Sequence, residues 1–270
     1  MNLNVFGGTG FIGSRYCELY PEVVINQRND YQIKTQEILY FISTTNNYNI
    51  YTNPYIDIDT NLTTLIKVLE TCKDQQVTFN FISSWFVYGN SSFYKKEIDD
   101  CNPKGFYSIT KRSAELLLID YCKTFNINYR ILRLCNVLGL NDKFSDQKNV
   151  LQSCISKLKS NDPVILSDDG NFYRDYMFVD DVCSAINLIV SKGKINSIYN
   201  VSSGSSIKFK DVILKCKTLL NSSSELQSIK LTEQQKLIHV KSIFLDNGKL
   251  LKLGFVQKLN LDEGLKILCQ

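Results

Sequence analysis

A short apolar strand that runs directly into a glycine-rich turn constrains this chain most strongly. The run Leu3–Phe6 predicts a buried strand, and residues 7–13 follow at once as Gly-Gly-Thr-Gly-Phe-Ile-Gly. Glycine allows a tight turn here and allows a pyrophosphate to approach the N–H groups that open the next helix. A glycine-rich turn without a ligand has a similar composition, but the order of strand, loop and helix favours a dinucleotide site.

Short apolar runs alternate with amphipathic stretches along most of the chain, which predicts an α/β, Rossmann-like, doubly wound parallel sheet. The predicted strands are Leu3–Phe6, Val23–Asn26, Ile38–Ile42, Thr78–Ser83, Tyr129–Leu134 and Ile198–Val201. The predicted helices are Phe11–Tyr20, Leu62–Lys73, Ser108–Phe125, Val150–Ser160 and Asp181–Ser191. The alternation loosens after about residue 204. We therefore expect a dinucleotide-binding core over 1–138 and 176–203, and a smaller C-terminal substrate-binding lobe over 139–175 and 204–270.

Composition excludes several functional classes. The net charge of +4 is spread along 270 residues without a basic run, so nucleic acid is not favoured as a partner. His239 is the single histidine, which argues against a mechanism with two imidazoles and against a zinc site of His/Cys type. The nine cysteines contain no CxxC pair and are expected to be reduced thiols. No apolar run reaches membrane length and no charged leader precedes Leu3, which predicts a cytoplasmic protein without a membrane partner.

The end of the second strand bears on which dinucleotide is bound. A carboxylate at this place usually binds the ribose of NAD, whereas an arginine suits the 2′-phosphate of NADP. Here Gln27 takes that place and Arg28 follows. NADP(H) is therefore preferred and NAD(H) remains possible, with a solvated surface arginine as the alternative for Arg28.

A phenol and an ammonium stand four residues apart, at Tyr107 and Lys111, on one face of a predicted helix. A nearby ammonium is expected to lower the tyrosine pKa and to ready the phenol for proton exchange with a hydroxyl or carbonyl group. Ser83 and Ser84 end the predicted strand 78–83 at the carboxyl edge of the sheet, where open α/β folds bind ligands.

With the glycine turn, these residues resemble an extended short-chain dehydrogenase/reductase of the nucleotide-sugar epimerase/dehydratase family. Further matches to that family are Asn61, Pro103, the Arg-Leu-Cys-Asn-Val-Leu-Gly run at 133–139, Asn149-Val150, and the Arg-Asp-Tyr-Met-Phe-Val-Asp-Asp run at 174–181. Asp180 and Asp181 are interpreted instead as the N-cap of an apolar helix. The resemblance implies a nucleotide-diphosphate sugar substrate and a homodimer formed through the helices at 62–73 and 108–125.

The resemblance also assigns the candidate site residues. The catalytic residues are Ser84, Tyr107 and Lys111. The cofactor-binding residues are Gly7, Gly10, Phe11, Ile12, Gly13, Gln27, Arg28, Ser83, Tyr107 and Lys111. The substrate-binding residues are Ser84, Trp85, Phe86, Asn136, Asn149 and Arg174, with the loop 139–148 expected to line the sugar pocket. His239 and Lys241 lie where relatives place a second basic group for the diphosphate, although they are equally compatible with an exposed surface pair.

Departures from the family pattern narrow the expected chemistry. Members that dehydrate sugars carry an acid pair after the catalytic serine, where this chain has Trp85 and Phe86, so 4,6-dehydration is disfavoured. Members that epimerise at C3 and C5 use a cysteine and a later histidine, where this chain has Phe86 and Lys148-Asn149. The third strand and helix of the cofactor half are largely deleted between Arg28 and Glu37.

Three functions remain open. The first is NADPH-dependent reduction of the 4-keto group of a nucleotide-linked deoxysugar, which the pair Gln27-Arg28 and the missing acids favour. The second is an NAD-dependent nucleotide-sugar 4-epimerase, in which the hydride is taken and returned. The third is a non-catalytic dinucleotide-binding subunit, which the presence of Ser84, Tyr107 and Lys111 disfavours.

Overall fold

A central parallel sheet organises the chain and confirms the predicted Rossmann-like α/β fold. The structure is a computed structural model that describes residues 2–45, 47–91, 94–142 and 149–270. Six strands lie in the order β10-β6-β4-β3-β1-β2, and every neighbouring pair is parallel. In chain order the strands are β1 (Leu3–Phe6), β2 (Val24–Ile25), β3 (Glu37–Tyr40), β4 (Thr78–Ser84), β5 (Tyr94–Lys95), β6 (Asn128–Leu134), β7 (Asn136–Leu138), β8 (Val164–Ser167), β9 (Tyr173–Phe178), β10 (Ser197–Val201), β11 (Ser206–Lys208), β12 (Leu226–Ile229) and β13 (Phe244–Leu245).

The five predicted helices are present, and each begins and ends within two residues of its predicted bounds. In chain order the helices of the structure are α1 (Phe11–Leu19), α2 (Tyr55–Ile58), α3 (Thr64–Cys72), α4 (Phe106–Thr124), α5 (Val150–Ser160), α6 (Val179–Lys192), α7 (Phe209–Leu219), α8 (Glu233–Ile238), α9 (Gly248–Leu251) and α10 (Leu261–Leu268). The predicted ones are α1, α3, α4, α5 and α6. A π-helical turn at Asp59–Thr63 joins α2 to α3. Helix α4 starts two residues earlier than predicted, so Tyr107 lies in its first turn.

Alternate side chains of the central strands enter two apolar clusters on opposite faces of the sheet. One cluster joins Val5 and Leu39 to Tyr16 of α1 and Ile186 of α6, and it continues into the C-terminal part of the chain. The other joins residues such as Ile38 and Phe81 to Leu65, Val68 and Leu69 of α3 and to Ala114 and Leu118 of α4. Both faces of a parallel sheet are covered in this way, which is why its strands are rich in buried apolar side chains.

The predicted deletion in the cofactor half is confirmed. Strand β2 is the edge of the sheet, and residues 26–36, all of them described, contain neither strand nor helix. The side chain of Asn26 stabilises this segment by hydrogen bonds. Its amide donates to the carbonyls of Asp30 and Gln32, each at 2.9 Å, and its oxygen accepts from Asn4. Thr71 of α3 donates to the carbonyl of Tyr31 at 2.8 Å. The missing helix is thus replaced by a short connection, residues 26–36, that side-chain hydrogen bonds hold in place.

Small sheets and further helices lie outside the central sheet. The strands β11, β9 and β7 form a three-stranded sheet, and β12 pairs with β8 and β13 with β5. The sequence pattern did not predict these strands, since most are two to four residues long and too short for an apolar alternation to show. Helix α7, of 11 residues, was not predicted either. The division into core and lobe stays a prediction. Seven of the nine cysteines are buried, and all are unbridged. Among the described residues, no helix is both long enough and apolar enough to cross a membrane.

The N-cap interpretation of Asp180 and Asp181 is wrong. Helix α6 begins at Val179, so both carboxylates lie in its first turn and the cap residue is Phe178. Asp180 binds Arg15, and Asp181 accepts the backbone N–H groups of Lys258 and Leu259, each at 2.9 Å. The two aspartates therefore link α6 to other segments and do not cap the N-terminus of α6.

Candidate active site

A cavity of about 700 Å³ lies at the carboxyl edge of the sheet and brings most of the predicted residues together. It is lined by Gly7, Gly10, Phe11, Ile12, Gly13, Ser83, Ser84, Trp85, Phe86, Tyr107, Lys111, Asn136, Asn149 and Arg174. Gln27 and Arg28 are exposed and lie outside this lining. Their contact with a cofactor stays a prediction.

The glycine turn at the start of α1 is shaped for close approach. Gly7 has φ +83°, and a Cβ on Gly13 would lie 2.3 Å from the Gly7 carbonyl oxygen, so neither position accepts a side chain without a shift. Gly10 precedes α1 without a side-chain cap, and the first turn of α1 contains no acidic residue. An uncapped helix N-terminus that carries the positive end of its dipole suits a phosphate. These residues therefore fit the pyrophosphate of a dinucleotide.

The predicted catalytic triad lies on one wall of the cavity. Burial raises the pKa of the Tyr107 phenol to about 12, against hydrogen bonding to Ser84 and Ser43 that lowers it. Lys111 lies one turn further along α4, where its Nζ donates to the Ile82 carbonyl at 2.8 Å and lies 4.2 Å from the centre of the Phe81 ring. The expected lowering of the tyrosine pKa is wrong for this structure, because burial outweighs the favourable contacts of the phenol.

Burial also lowers the pKa of Lys111 to about 7, and the charge of Glu115 opposes this effect. The hydroxyl of Ser83 donates to Glu115 Oε1 at 2.6 Å in a buried contact. A cofactor contact by Ser83 would therefore involve its other atoms. That contact stays a prediction.

Trp85 and Phe86 form an aromatic wall next to the triad. Their rings are stacked with centres 3.9 Å apart, and Phe86 meets the ring of Tyr107 edge-on at 5.8 Å. Trp85 is almost fully buried at 2% exposure. Neither side chain can carry a proton, and together they present an apolar surface beside the phenol.

Arg174 lies on β9, further along the cavity. Its guanidinium lies between two rings, with Cζ 5.0 Å from the centre of Trp85 and 4.5 Å from that of Phe172. It donates to the carbonyls of Val240 at 2.6 Å and Lys241 at 3.1 Å. Burial lowers its pKa to about 10, so it is a cation at neutral pH. A buried cation held by carbonyls and rings suits an anionic ligand.

Asn136 and Asn149 are held by hydrogen bonds within the protein. The amide of Asn136 donates to the Asp175 carbonyl at 3.0 Å. Asn149 caps α5 by accepting the Gln152 N–H at 3.3 Å, and it adopts φ +54°. Both residues line the cavity, and their contact with substrate stays a prediction. Most of the loop 139–148, namely residues 143–148, lies outside the described residues, and this includes Lys148.

His239 and Lys241, considered as a second basic group, have different environments. His239 lines the cavity and meets the Phe172 ring edge-on at 5.4 Å, while Lys241 is exposed. Burial and the nearby charge of Arg174 lower the pKa of His239 to about 4. His239 is therefore neutral near pH 7 in this structure, and a role for it beside a diphosphate stays a prediction.

Two features of the site escaped the sequence analysis. Ser43 follows β3 and lines the cavity, where its hydroxyl donates to the Thr44 carbonyl at 2.7 Å and acts to lower the pKa of Tyr107. Its polarity at the carboxyl edge of the sheet was the available signal. Phe172 and Phe209 stack with ring centres 4.9 Å apart at the far end of the cavity. These two residues lie far apart in the sequence, and no local pattern pairs them.

Comparison with known proteins identifies the family. The sequence model described as the NAD dependent epimerase/dehydratase family matches residues 32–202, which is more than half of the chain. This chain belongs to that family. A putative UDP-glucose 4-epimerase of Methanocaldococcus jannaschii is 30% identical over 81% of this chain and 70% of its own length.

Two further proteins show how far the likeness extends. A trifunctional UDP-glucose 4,6-dehydratase/UDP-4-keto-6-deoxy-D-glucose 3,5-epimerase/UDP-4-keto-L-rhamnose-reductase of Arabidopsis thaliana is 27% identical over 88% of this chain. The match spans only 36% of that protein, so the chain corresponds to about a third of it. The crystal structure of UDP-glucose 4-epimerase from Thermotoga maritima, with UDP-glucose, covers 100% of this chain and 97% of its own, at TM-score 0.87 and 24% identity. This last likeness concerns the fold.

Proposed function

We propose that this chain reduces the 4-keto group of a nucleotide-linked deoxysugar with NADPH. The observation that carries the proposal is the position of a protonated Tyr107, beside Ser84, in the same cavity as the glycine turn and Arg174. Membership of the NAD dependent epimerase/dehydratase family and the similarity to a protein with keto-sugar reductase activity support it.

The chain's own residues supply the proton and hold the reacting oxygen. A bound nicotinamide dinucleotide supplies the hydride. Tyr107 donates its proton to the carbonyl oxygen, and its pKa of about 12 keeps the phenol protonated at neutral pH. The hydroxyl of Ser84 donates a hydrogen bond to the same oxygen and polarises the carbonyl group. The burial of this wall strengthens both interactions.

The walls of the cavity support a diphosphate-linked deoxysugar as substrate. Arg174 provides a buried cation for the diphosphate, and its guanidinium fork matches phosphate oxygens. Trp85 and Phe86 offer an apolar face on which a sugar ring that lacks a hydroxyl can pack. Because these two residues replace an acid pair, a substrate that already carries the 4-keto group is favoured over one that must be dehydrated.

A 4-epimerase is the second candidate function, and the similarity to the archaeal putative UDP-glucose 4-epimerase favours it. In that reaction Tyr107 must first act as a base and remove a proton from the sugar hydroxyl. A phenol with a pKa of about 12 holds its proton at neutral pH, which disfavours its action as that base. The reductase is therefore placed first.

We also propose a homodimer that uses α3 and α4. Ile109, Leu116 and Leu117 of α4 are 42–52% exposed, and their spacing of seven and eight residues places them on one face. Ile66 of α3 is 41% exposed. Apolar side chains grouped on neighbouring helices are typical of a surface that a second copy covers.

The cofactor preference is tested by titrating the protein with NADPH and with NADH while following nicotinamide fluorescence. Arg28→Ala is compared with the wild type and with Lys123→Ala, which removes an exposed cation about 24 Å further along α4 than Tyr107. We expect Arg28→Ala alone to weaken NADPH binding, by about tenfold or more, and to leave NADH binding unchanged. Equal binding of both cofactors by the wild type would contradict the NADP preference.

The reaction is tested with NADPH deuterated at C4 of the nicotinamide and a 4-keto-6-deoxy nucleotide-sugar. A reductase oxidises one NADPH for each product formed and leaves deuterium on the product carbon. A 4-epimerase interconverts two UDP-hexoses without net consumption of a dinucleotide. Conversion of UDP-glucose to its 4-epimer, with no oxidation of NADPH by the keto-sugar, would place the epimerase first.

A further inference from the structure

Glu115, which the proposed proton transfer does not use, lies at the back of the catalytic wall. Its side chain is fully buried on α4, one turn beyond Lys111. Arg133 of β6 donates to its carboxylate through Nε at 2.9 Å and Nη2 at 2.8 Å, and Arg112 donates at 2.7 Å. Burial raises the pKa of this carboxyl, but hydrogen bonds and charge from Arg133 outweigh it, and the pKa lies below its ordinary value. A buried carboxylate of this kind is stable only while its partners stay in place.

Two successive turns of α4 hold two successive residues of β4. Lys111 Nζ binds the carbonyl of Ile82 at 2.8 Å, and Glu115 Oε1 accepts the hydroxyl of Ser83 at 2.6 Å. The next residue of the strand is Ser84, which lines the cavity together with Tyr107 of the first turn of the same helix. The position of α4 along β4 therefore decides whether the two catalytic hydroxyls face the same point.

Strand β6 completes this arrangement. Ser83 and Arg133 are paired across β4 and β6, so Glu115 binds side chains of two neighbouring strands at one level of the sheet. The bidentate contact with Arg133 fixes the orientation of the Glu115 carboxylate as well as its distance from the guanidinium. Sliding α4 by a fraction of a turn would break the contacts of Glu115 with both strands.

We propose that Glu115 is a positioning residue. Its contacts with Ser83 and Arg133 hold α4 in a fixed position against the ends of β4 and β6. This position brings the hydroxyls of Ser84 and Tyr107 to one substrate oxygen. This role rests on the proposed Tyr107 and Ser84 chemistry. Glu115 itself touches neither substrate nor cofactor.

Two variants test the proposal. Ser83→Ala removes the hydrogen bond to Glu115 and leaves the ion pair with Arg133 intact, whereas Glu115→Gln removes the charge and lowers stability by leaving the buried guanidinium without its counter-ion. The matched control is Ser222→Ala, which removes another buried serine hydroxyl, one that donates to the Leu158 carbonyl at 2.6 Å far from the catalytic wall in sequence. For each protein, kcat, KM and the NADPH Kd are measured, and crystal structures give the separation of Ser84 Oγ and Tyr107 Oη.

We expect Ser83→Ala and Glu115→Gln to lower kcat by about tenfold or more, because a misplacement of about 1 Å is costly in catalysis. KM and the NADPH Kd should stay within about twofold of the wild type, and the two hydroxyls should move apart. Wild-type kcat in Ser83→Ala, or an unchanged separation of the hydroxyls, would overturn the proposal. If the wild type reduces no 4-keto sugar, the proposed function fails, and the hydroxyl separation alone decides the role of Glu115.

Discussion

Arg15 in the second turn of α1 forms a two-pronged ion pair with Asp180 in the first turn of α6. Its Nε and Nη2 each lie 2.7 Å from a carboxylate oxygen of Asp180. The guanidinium fork is thus bound to α6, although its place near the glycine turn would suit a phosphate contact. The pair joins two helices that pack on the same face of the sheet.

The first prediction is that Arg15→Ala changes neither cofactor affinity nor stability by much. Both side chains are more than a third exposed, so the pair contributes less than about 1 kcal/mol to the free energy of unfolding. Urea unfolding measures this contribution, and fluorescence titration should give an NADPH Kd within about twofold of the wild type. A loss of NADPH affinity in Arg15→Ala that Asp180→Asn does not share would instead show that the arginine binds the cofactor.

The second prediction contrasts two glycines of the turn. A Cβ on Gly13 would lie 2.3 Å from the Gly7 carbonyl oxygen, so Gly13→Ala should lower the free energy of unfolding by on the order of 2 kcal/mol. A Cβ on Gly10 meets its nearest atom at 3.5 Å, and Gly10→Ala should cost less than about 1 kcal/mol. Because Gly10 lines the cavity, its substitution should still weaken dinucleotide binding. Equal stability losses in the two variants would contradict this account of the turn.

The third prediction concerns the proton donor. Tyr107→Phe removes the phenolic proton and keeps the ring that meets Phe86, so turnover should fall by about 10²-fold or more while NADPH binding is nearly unchanged. Tyr121→Phe is the control on the same helix, because that hydroxyl binds Glu70 away from the cavity. Steady-state kinetics and fluorescence titration measure the two effects. Retained turnover in Tyr107→Phe would show that another residue donates the proton.

The fourth prediction is a pH dependence of stability that originates at His239. Its pKa is about 4 in the folded protein and returns to about 6.5 on unfolding, since burial and the charges of Arg174, Lys241 and Lys104 are then lost. Above about pH 6.5 the imidazole is neutral in both states. As the pH falls from there towards 4, only the unfolded state takes up the proton, so stability decreases.

His239→Gln should become more stable relative to the wild type as the pH falls from about 6.5 towards 4, when the free energy of unfolding of both proteins is measured between pH 4 and 7. The buried carboxyl of Asp175, whose pKa burial raises to about 6, contributes a slope of opposite sign in both proteins. The difference between wild type and variant therefore isolates the imidazole. A difference that does not change with pH would refute the assignment to His239.

The fifth prediction tests the proposed dimer. Leu116→Asp places a charge on the exposed apolar face of α4 and should shift the protein from dimer to monomer in sedimentation velocity. Val256→Asp alters a more exposed apolar side chain, at 76%, in the C-terminal part of the chain and should leave the dimer intact. A wild type that sediments as a monomer would exclude the interface.

The sequence by itself determined the central sheet and the glycine turn. The strands Leu3–Phe6 and Thr78–Ser84 are rich in apolar residues because both faces of a parallel sheet are covered, and helix α5 begins and ends at the predicted residues. The sequence also contains local signals for α8 and α10, namely capping boxes at Thr232 and Asn260 with Gln235 and Glu263 three residues later.

Only the tertiary structure decided the electrostatics of the site. The pKa of Tyr107 depends on how deeply α4 is buried and on Ser43, which follows a different strand, so the spacing of Tyr107 and Lys111 alone gave the wrong direction. The fork of Arg15 is bound to Asp180, which lies 165 residues away in the sequence. Desolvation and long-range pairing depend on which distant segments pack together, and a local sequence pattern contains no such information.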